Sequence, residues 1–299
     1  MMLRASATAM NSFRSTRSKR ISDPASVISE GRLRKLHIVL QGRVGQCRPM
    51  TDPLLIFIAL ALTLAGFVKG ALVLGLPTIS VGLLAIAMPP GRALAIVIVP
   101  AVITNIWQTF AGPYLRDIAK RLWPLMAGTA IGISLNAGAL SHGSTRYGNV
   151  ALGVLLTVYA TLGLTRLAFK VARPHEKWVG GIVGLLTGLI SAATGVQVVP
   201  SVPYMQAIGL EKDELVQALG VFFTVATLTL AFNLTNSGLL STAIALPGTV
   251  AMISAFLGMA MGQAARARLP AEAFRRVFLI AMVLLGLYLA GSALIELTW

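Results

Sequence analysis

Apolar runs longer than a bilayer is thick constrain this chain more than any other feature. A helix needs about 20 consecutive apolar residues to cross a hydrocarbon core of about 30 Å. The stretch 54–88 exceeds that length and is interrupted by one charge, Lys69. Further apolar stretches fall at 93–111, 122–140, 149–170, 178–209, 214–235, 239–263 and 274–297. A membrane barrel would need short segments of alternating polarity, and these runs are continuous. Only 12% of the 299 residues are charged, about half the share of a soluble domain. The reading is an all-α polytopic membrane protein. Its expected location is the cell membrane, as a multi-pass protein of a bacterial inner membrane.

Several chemistries are excluded by the residue inventory. One cysteine, Cys47, rules out a disulfide framework, and three histidines (His37, His142, His175) lie too far apart for metal-ligand spacing. No nucleophile elbow or phosphate loop is present. The run Gly180 to Gly184 has no lysine after it, so it reads as helix packing rather than a nucleotide loop. No catalytic residue, no metal site and no cofactor are expected, and the chain is not read as an enzyme.

The net charge of +15 is unevenly placed. Residues 1–50 hold ten Lys/Arg against Asp23 and Glu30, and the remainder holds fifteen against eight acids. The basic excess therefore argues for no nucleic-acid partner. Three readings of residues 1–49 stand: a disordered tail, a transit peptide, or an over-called start with translation from Met50. The last is favoured, because "MTDPLLIF" opens a membrane protein directly.

Two stretches, 54–88 and 178–209, are too long for one ordinary helix. Both carry a glycine pair and then a glycine and a proline: Gly66, Gly70, Gly75, Pro77, and Gly184, Gly188, Gly195, Pro200. Proline lacks the N–H, and glycine tolerates the turn, that a broken helix needs. Irregular backbone at membrane depth survives only when buried in protein or lining a watery cavity. A second matched device is Gly128/Gly132, fourteen residues before Arg146, and Gly258/Gly262, fourteen before Arg276. Such small-x-x-x-small spacing brings helices close together. The body thus reads as two weakly similar halves, 50–177 and 178–299, and internal repeats point to transporter folds.

Lysine and arginine counts give the orientation. If every stretch crosses once, the two sides hold seven each. If 54–88 and 178–209 each enter and return, one side holds twelve (loops 113–121, 166–177, 212 and 266–276) and the other only Arg92 and Arg146. The second count has the expected asymmetry. It makes the halves inverted pseudo-repeats of eight to ten helices, with the Met50 end and the C-terminus outside.

The segments "LAGFVKGALVLGLPTISVGLLAIAMPPGRA" and "GLLTGLISAATGVQVVPSVPYMQAIGLEKDELVQALGVFF" resemble the TauE/SafE family of membrane permeases. The similarity covers about 54–298. It implies a duplicated, many-helix permease for small sulfur-containing anions such as sulfite, sulfoacetate and other organosulfonates. Relatives often show a Thr-Gly pair before the final glycine. The second half keeps it as Thr194-Gly195, whereas the first half has Leu72-Val73.

Lys69 lies about 22 Å along the first helix at 1.5 Å per residue. A charge at the bilayer centre costs at least about 2.5–3.5 kcal/mol. Either its stem snorkels to the interface, or the ammonium faces a wet cavity and meets an anion. The second reading is preferred, with Gly66, Gly70, Gly75, Pro77, Gly188, Gly195 and Pro200 shaping the cavity. The aligned position in the second half is Thr187, so the charge is single. Thr104, Asn105 and Gln108, with Ser191, Thr194 and Gln197, are polar residues in apolar surroundings. Each either bonds substrate oxygens or glues helices together. Asn136 and Asn233 read as caps or interface residues, and Trp107, Trp123, Trp178 and Trp299 as interfacial belts. No acidic residue lies deep in a membrane stretch, so coupling through a buried carboxylate is unsupported.

The functional expectation is membrane transport of a small anion, of sulfite or organosulfonate type, by alternating access. The alternative is a channel or facilitator for other small carboxylate or inorganic anions. The partners are that substrate and the lipid bilayer, and a homo-oligomer stays open.

Overall fold

The computed structural model describes residues 52–73, 75–137, 145–165, 170–240, 244–266 and 271–298. The basic segment 1–49 and Trp299 lie outside them. Among the described residues there are ten α-helices and no strand. They are α1 (Asp52–Leu72), α2 (Leu76–Leu84), α3 (Pro90–Thr109), α4 (Leu115–Leu135), α5 (Thr145–Thr165), α6 (Glu176–Thr194), α7 (Ser201–Ala207), α8 (Lys212–Asn236), α9 (Ala245–Arg266) and α10 (Ala271–Thr298).

Both overlong stretches are broken helices. In the first, α1 stops at Leu72, Gly75 sits in the left-handed region at φ 92°, and Pro77 starts α2. In the second, α6 closes on Gly195 at φ 75°, and Pro200 precedes α7. The chain then starts helices where proline costs nothing, because the first-turn N–H has no intrahelical acceptor anyway.

Among the described residues seven helices are long and apolar enough to cross a membrane: α1, α3, α5, α6, α8, α9 and α10. The expected stretch 122–140 departs from that. The helix there, α4, runs Leu115–Leu135 and carries Arg116, Asp117, Lys120 and Arg121 in its first two turns. These charges lower its mean hydropathy below that of the seven, and α4 packs along α6 through Gly128 and Gly132. The outward-facing side chains are large and apolar, with Trp107, Phe110 and Trp178 all more than 70% exposed. That is the surface a lipid-facing helix presents.

Four glycine pairs set the helix contacts, and they pair across the two halves. A Cβ built on Gly66 would lie 2.2 Å from the Ala255 carbonyl oxygen, and one on Gly258 2.0 Å from that of Thr63. Gly70 and Gly262 face Met259 and Phe67 in the same way. So α1 and α9 touch backbone to backbone and run parallel. The second contact repeats the first: Gly128 and Gly132 of α4 face Gly181 and Leu185 of α6, while Gly184 and Gly188 face Leu125 and Thr129. Such approach maximises dispersion contact where lipid leaves little hydrophobic drive.

The directions of the other contacts complete the pattern. Asn105 of α3 meets Thr227 of α8, and Thr109 meets Thr224, so these helices are antiparallel. Gly153 of α5 packs on Gly286 and Ala290 of α10, and Gly163 on Leu279, again antiparallel. First helix on fourth helix in parallel, third on third and fifth on fifth antiparallel, are the relations an inverted duplication requires.

Arg121 draws the starts of α4, α6 and α8 and the end of α7 together at one end. Arg121 holds Glu176 bidentately at 2.9 and 2.8 Å, donates to the Ile208 carbonyl at 2.8 Å, and lies 3.9 Å from Glu214. Arg275 donates to the Gly163 carbonyl near the end of α5. Gly148 packs against Pro90 at the opposite end, beside Arg92.

Candidate functional site: a polar seam between the two helix breaks

Lys69 occupies the last turn of α1. Its side chain does not run outward. The residue is 6% exposed, and its Nζ donates to Thr104 Oγ1 at 3.0 Å and to Asn105 Oδ1. Thr104 in turn donates to the Pro100 carbonyl at 2.8 Å. The snorkelling alternative is thus not adopted. Among the described residues no carboxylate pairs with this lysine. Its formal charge is held by neutral dipoles alone.

From Asn105 the polar contacts continue to the second break. Asn105 Nδ2 donates to Thr227 Oγ1 at 3.2 Å, and Thr227 Oγ1 donates to Gln197 Oε1 at 3.3 Å. Gln197 lies between α6 and α7, is 1% exposed, and its Nε2 has no partner among the described residues. One buried seam therefore joins the last turn of α1, through α3 and α8, to the loop that interrupts the second half.

The rest of the predicted set divides into members and neighbours. Gln108 reaches both the first break and α8, donating to the Val73 carbonyl at 3.5 Å and the Val216 carbonyl at 2.8 Å. Ser191 donates to the Thr187 carbonyl at 2.6 Å and the Val196 carbonyl at 2.9 Å, tying the end of α6 to the loop behind it. Thr194 accepts from the Val196 N–H at 3.2 Å. These two side chains shape the second break rather than join the seam. Gly75, Pro77, Gly195 and Pro200 form the turns themselves. Gly66, Gly70 and Gly188 sit elsewhere than expected: the space beside each is filled by a neighbouring helix backbone. They clear room for a helix crossing, not for a cavity.

The counterpart of Lys69 also changes. The Val73 N–H bonds to the Lys69 carbonyl at 2.7 Å, and the Gly195 N–H to the Ser191 carbonyl at 2.8 Å. Aligned by these closing bonds, Lys69 corresponds to Ser191, not Thr187. The glycine pair lies one turn deeper in α6 than in α1, which is why spacing from the glycines misleads.

Three seam neighbours escaped the sequence reading: Thr227, Thr224 and Gln217, all on α8. Thr224 shares a 2.9 Å hydrogen bond with Thr109. Gln217 donates to the Thr109 and Gly112 carbonyls at 2.8 and 2.7 Å and accepts from the Tyr114 N–H. With Gln108 it forms a reciprocal clasp across α3 and α8. The visible signal was a glutamine and two threonines at positions 217, 224 and 227, which return to one helix face. Asn136 and Asn233 bridge helices, to the Leu189 and Ile133 carbonyls.

The model of the family described as "Sulfite exporter TauE/SafE" matches residues 58–289. The chain belongs to the TauE/SafE sulfite exporter family. The match spans both breaks, the seam and all four glycine pairs. No curated protein and no solved structure matches the chain. Membership makes this TauE/SafE protein a multi-pass permease of the cell membrane, and membrane transport of the sulfite-exporter type is its activity at that level.

Proposed function

We propose that this TauE/SafE protein is a secondary transporter for a small anion of sulfite or organosulfonate type, working by alternating access between halves 50–177 and 178–299. The observation that carries the reading is Lys69: an ammonium deep in the protein, beside a helix break, with no counter-charge among the described residues. A buried charge without an ionic partner costs several kcal/mol. A chain that keeps one there has a use for the missing anion, and the far end of the seam adds the unpartnered Gln197 amide. Burial of Lys69 on all sides is what alternating access requires of its closed state. Inverted directions of equivalent helices support rocking of one half against the other.

The test is uptake and counterflow of radiolabelled sulfite in proteoliposomes. Wild-type protein is expected to show saturable exchange, and Lys69→Ala to lose it while remaining monodisperse. Undiminished flux in Lys69→Ala rejects the assignment of the charge. Ohmic conductance in planar bilayers, without exchange, turns the reading to a channel.

A further inference from the structure

The hydrogen bonds of the seam run in one direction, away from Lys69. An ammonium has donors and no acceptor. It therefore fixes Asn105 with its oxygen toward Lys69 and its NH₂ toward Thr227. Thr227 Oγ1 accepts there and donates its own proton to Gln197 Oε1. That leaves the Gln197 amide with its NH₂ outward. This group is 1% exposed and unpartnered. A buried donor without an acceptor costs about 1–3 kcal/mol, and satisfied partners are the rule for buried polar groups. The seam consumes an acceptor at every step: it starts at the Lys69 ammonium, which donates to Thr104 and Asn105, and ends at the Gln197 amide, whose NH₂ has no acceptor among the described residues.

We infer that Gln197 is a second recognition group, whose Nε2 donates to an acceptor on the far end of an anion whose charged head meets Lys69. The inference rests on the reading of Lys69 given above and adds a selectivity to it. Lys69 and Gln197 are separated by Asn105 and Thr227 in series. A spherical ion or a single small head engages one extremity. An anion with acceptors at two ends engages both, one from each helix break. Because the second group is a neutral amide, it favours a polar second end without demanding that it be charged. Thr227 is the positioning residue: it holds Oε1 and so aims the NH₂.

Binding to purified full-length protein in nanodiscs, read by isothermal titration, tests this with two anions that share a sulfonate head and differ at the other end. Ethanesulfonate has one acceptor head, and sulfoacetate has one at each end. Wild-type protein is expected to hold sulfoacetate roughly ten- to a hundredfold more tightly, the worth of a hydrogen bond to a charged acceptor. In Gln197→Leu sulfoacetate falls to the level of ethanesulfonate, whose own affinity is unchanged. Thr227→Val shows a smaller loss in the same direction. If the leucine variant does not fold, Gln197→Asn serves, since it keeps the amide and withdraws it by one methylene. Equal affinities in wild-type protein, or a Gln197 variant that weakens both ligands alike or neither, overturn the inference. Lys69→Ala separates the two claims: loss of both ligands is expected, and retention of ethanesulfonate binding rejects the lysine reading on its own.

Discussion

Val73 closes α1 at φ 67°, in the same left-handed conformation with which Gly195 closes α6 at φ 75°. Each donates its N–H four residues back, to Lys69 and to Ser191. Left-handed backbone suits glycine and penalises a β-branched side chain. The first half thus keeps the fold of the break after losing its glycine. Val73→Gly is expected to stabilise the protein by about 1–2 kcal/mol, less whatever the half-buried valine contributes by packing. A rise in the apparent unfolding midpoint of detergent-solubilised protein checks it. A lower midpoint would mean that the valine side chain outweighs the strain.

The glycine pairs predict a sharp contrast between neighbouring positions. At Gly258 and Gly262 a Cβ would stand 2.0 Å from a carbonyl oxygen of α1, whereas at Gly291 nothing lies within 4 Å. Gly262→Ala forces two helix backbones apart and should cost about 1–3 kcal/mol or more. Gly291→Ala should be neutral or slightly stabilising through helix propensity. Thermal midpoints of the two variants, measured together, decide the point.

Lys69 and Asn105 form a coupled pair. Asn105→Leu alone removes an acceptor of a buried ammonium and is expected to destabilise by about 2–4 kcal/mol. The double variant Lys69→Met, Asn105→Leu replaces both partners with apolar groups. Its stability should return toward wild type while transport stays lost. A double-mutant cycle measures the coupling, and additive losses would show that the two side chains act independently.

Arg121 ties together α4, the start of α6 and the end of α7. Arg121→Gln strands a largely buried Glu176 without its partner and should cost about 3 kcal/mol, more than Glu176→Gln. The ordering of the two midpoints is the measurement. Equal losses would place the value in the carbonyl contact to Ile208 instead.

Orientation can be read by labelling. In a Cys47→Ser background, cysteines replacing Lys120, Lys177 and Lys212 are expected to react with an impermeant maleimide from one face, and Arg92→Cys from the other. A split among the first three would contradict the inverted arrangement of the halves.

The breaks were legible because glycine and proline act locally: where both interrupt an apolar run, the helix has to stop. The small-residue spacings were legible as close-packing surfaces, but not as a pairing. Gly66 and Gly70 carry no mark of their partner, since any smooth face accepts any other; only the tertiary arrangement selects α9. Lys69 stood out because one charge in an apolar run is expensive. Thr227 did not, because a hydroxyl in a membrane helix commonly satisfies itself on the preceding turn, whereas this one donates to a residue thirty positions away. The charged residues before 122 read as a loop, whereas α4 already starts at Leu115; charge alone does not mark where a helix begins.

The crosswise pairing of α1 with α9 and of α4 with α6 has a consequence for biosynthesis. Helix α1 meets its mate α9 only after the chain between them, most of the membrane body, has been made. A polypeptide cut short after α5 lacks the faces of α6 and α9 that cover the glycines of α4 and α1. Those grooves are then left to lipid, and close packing is expected to be completed late in synthesis.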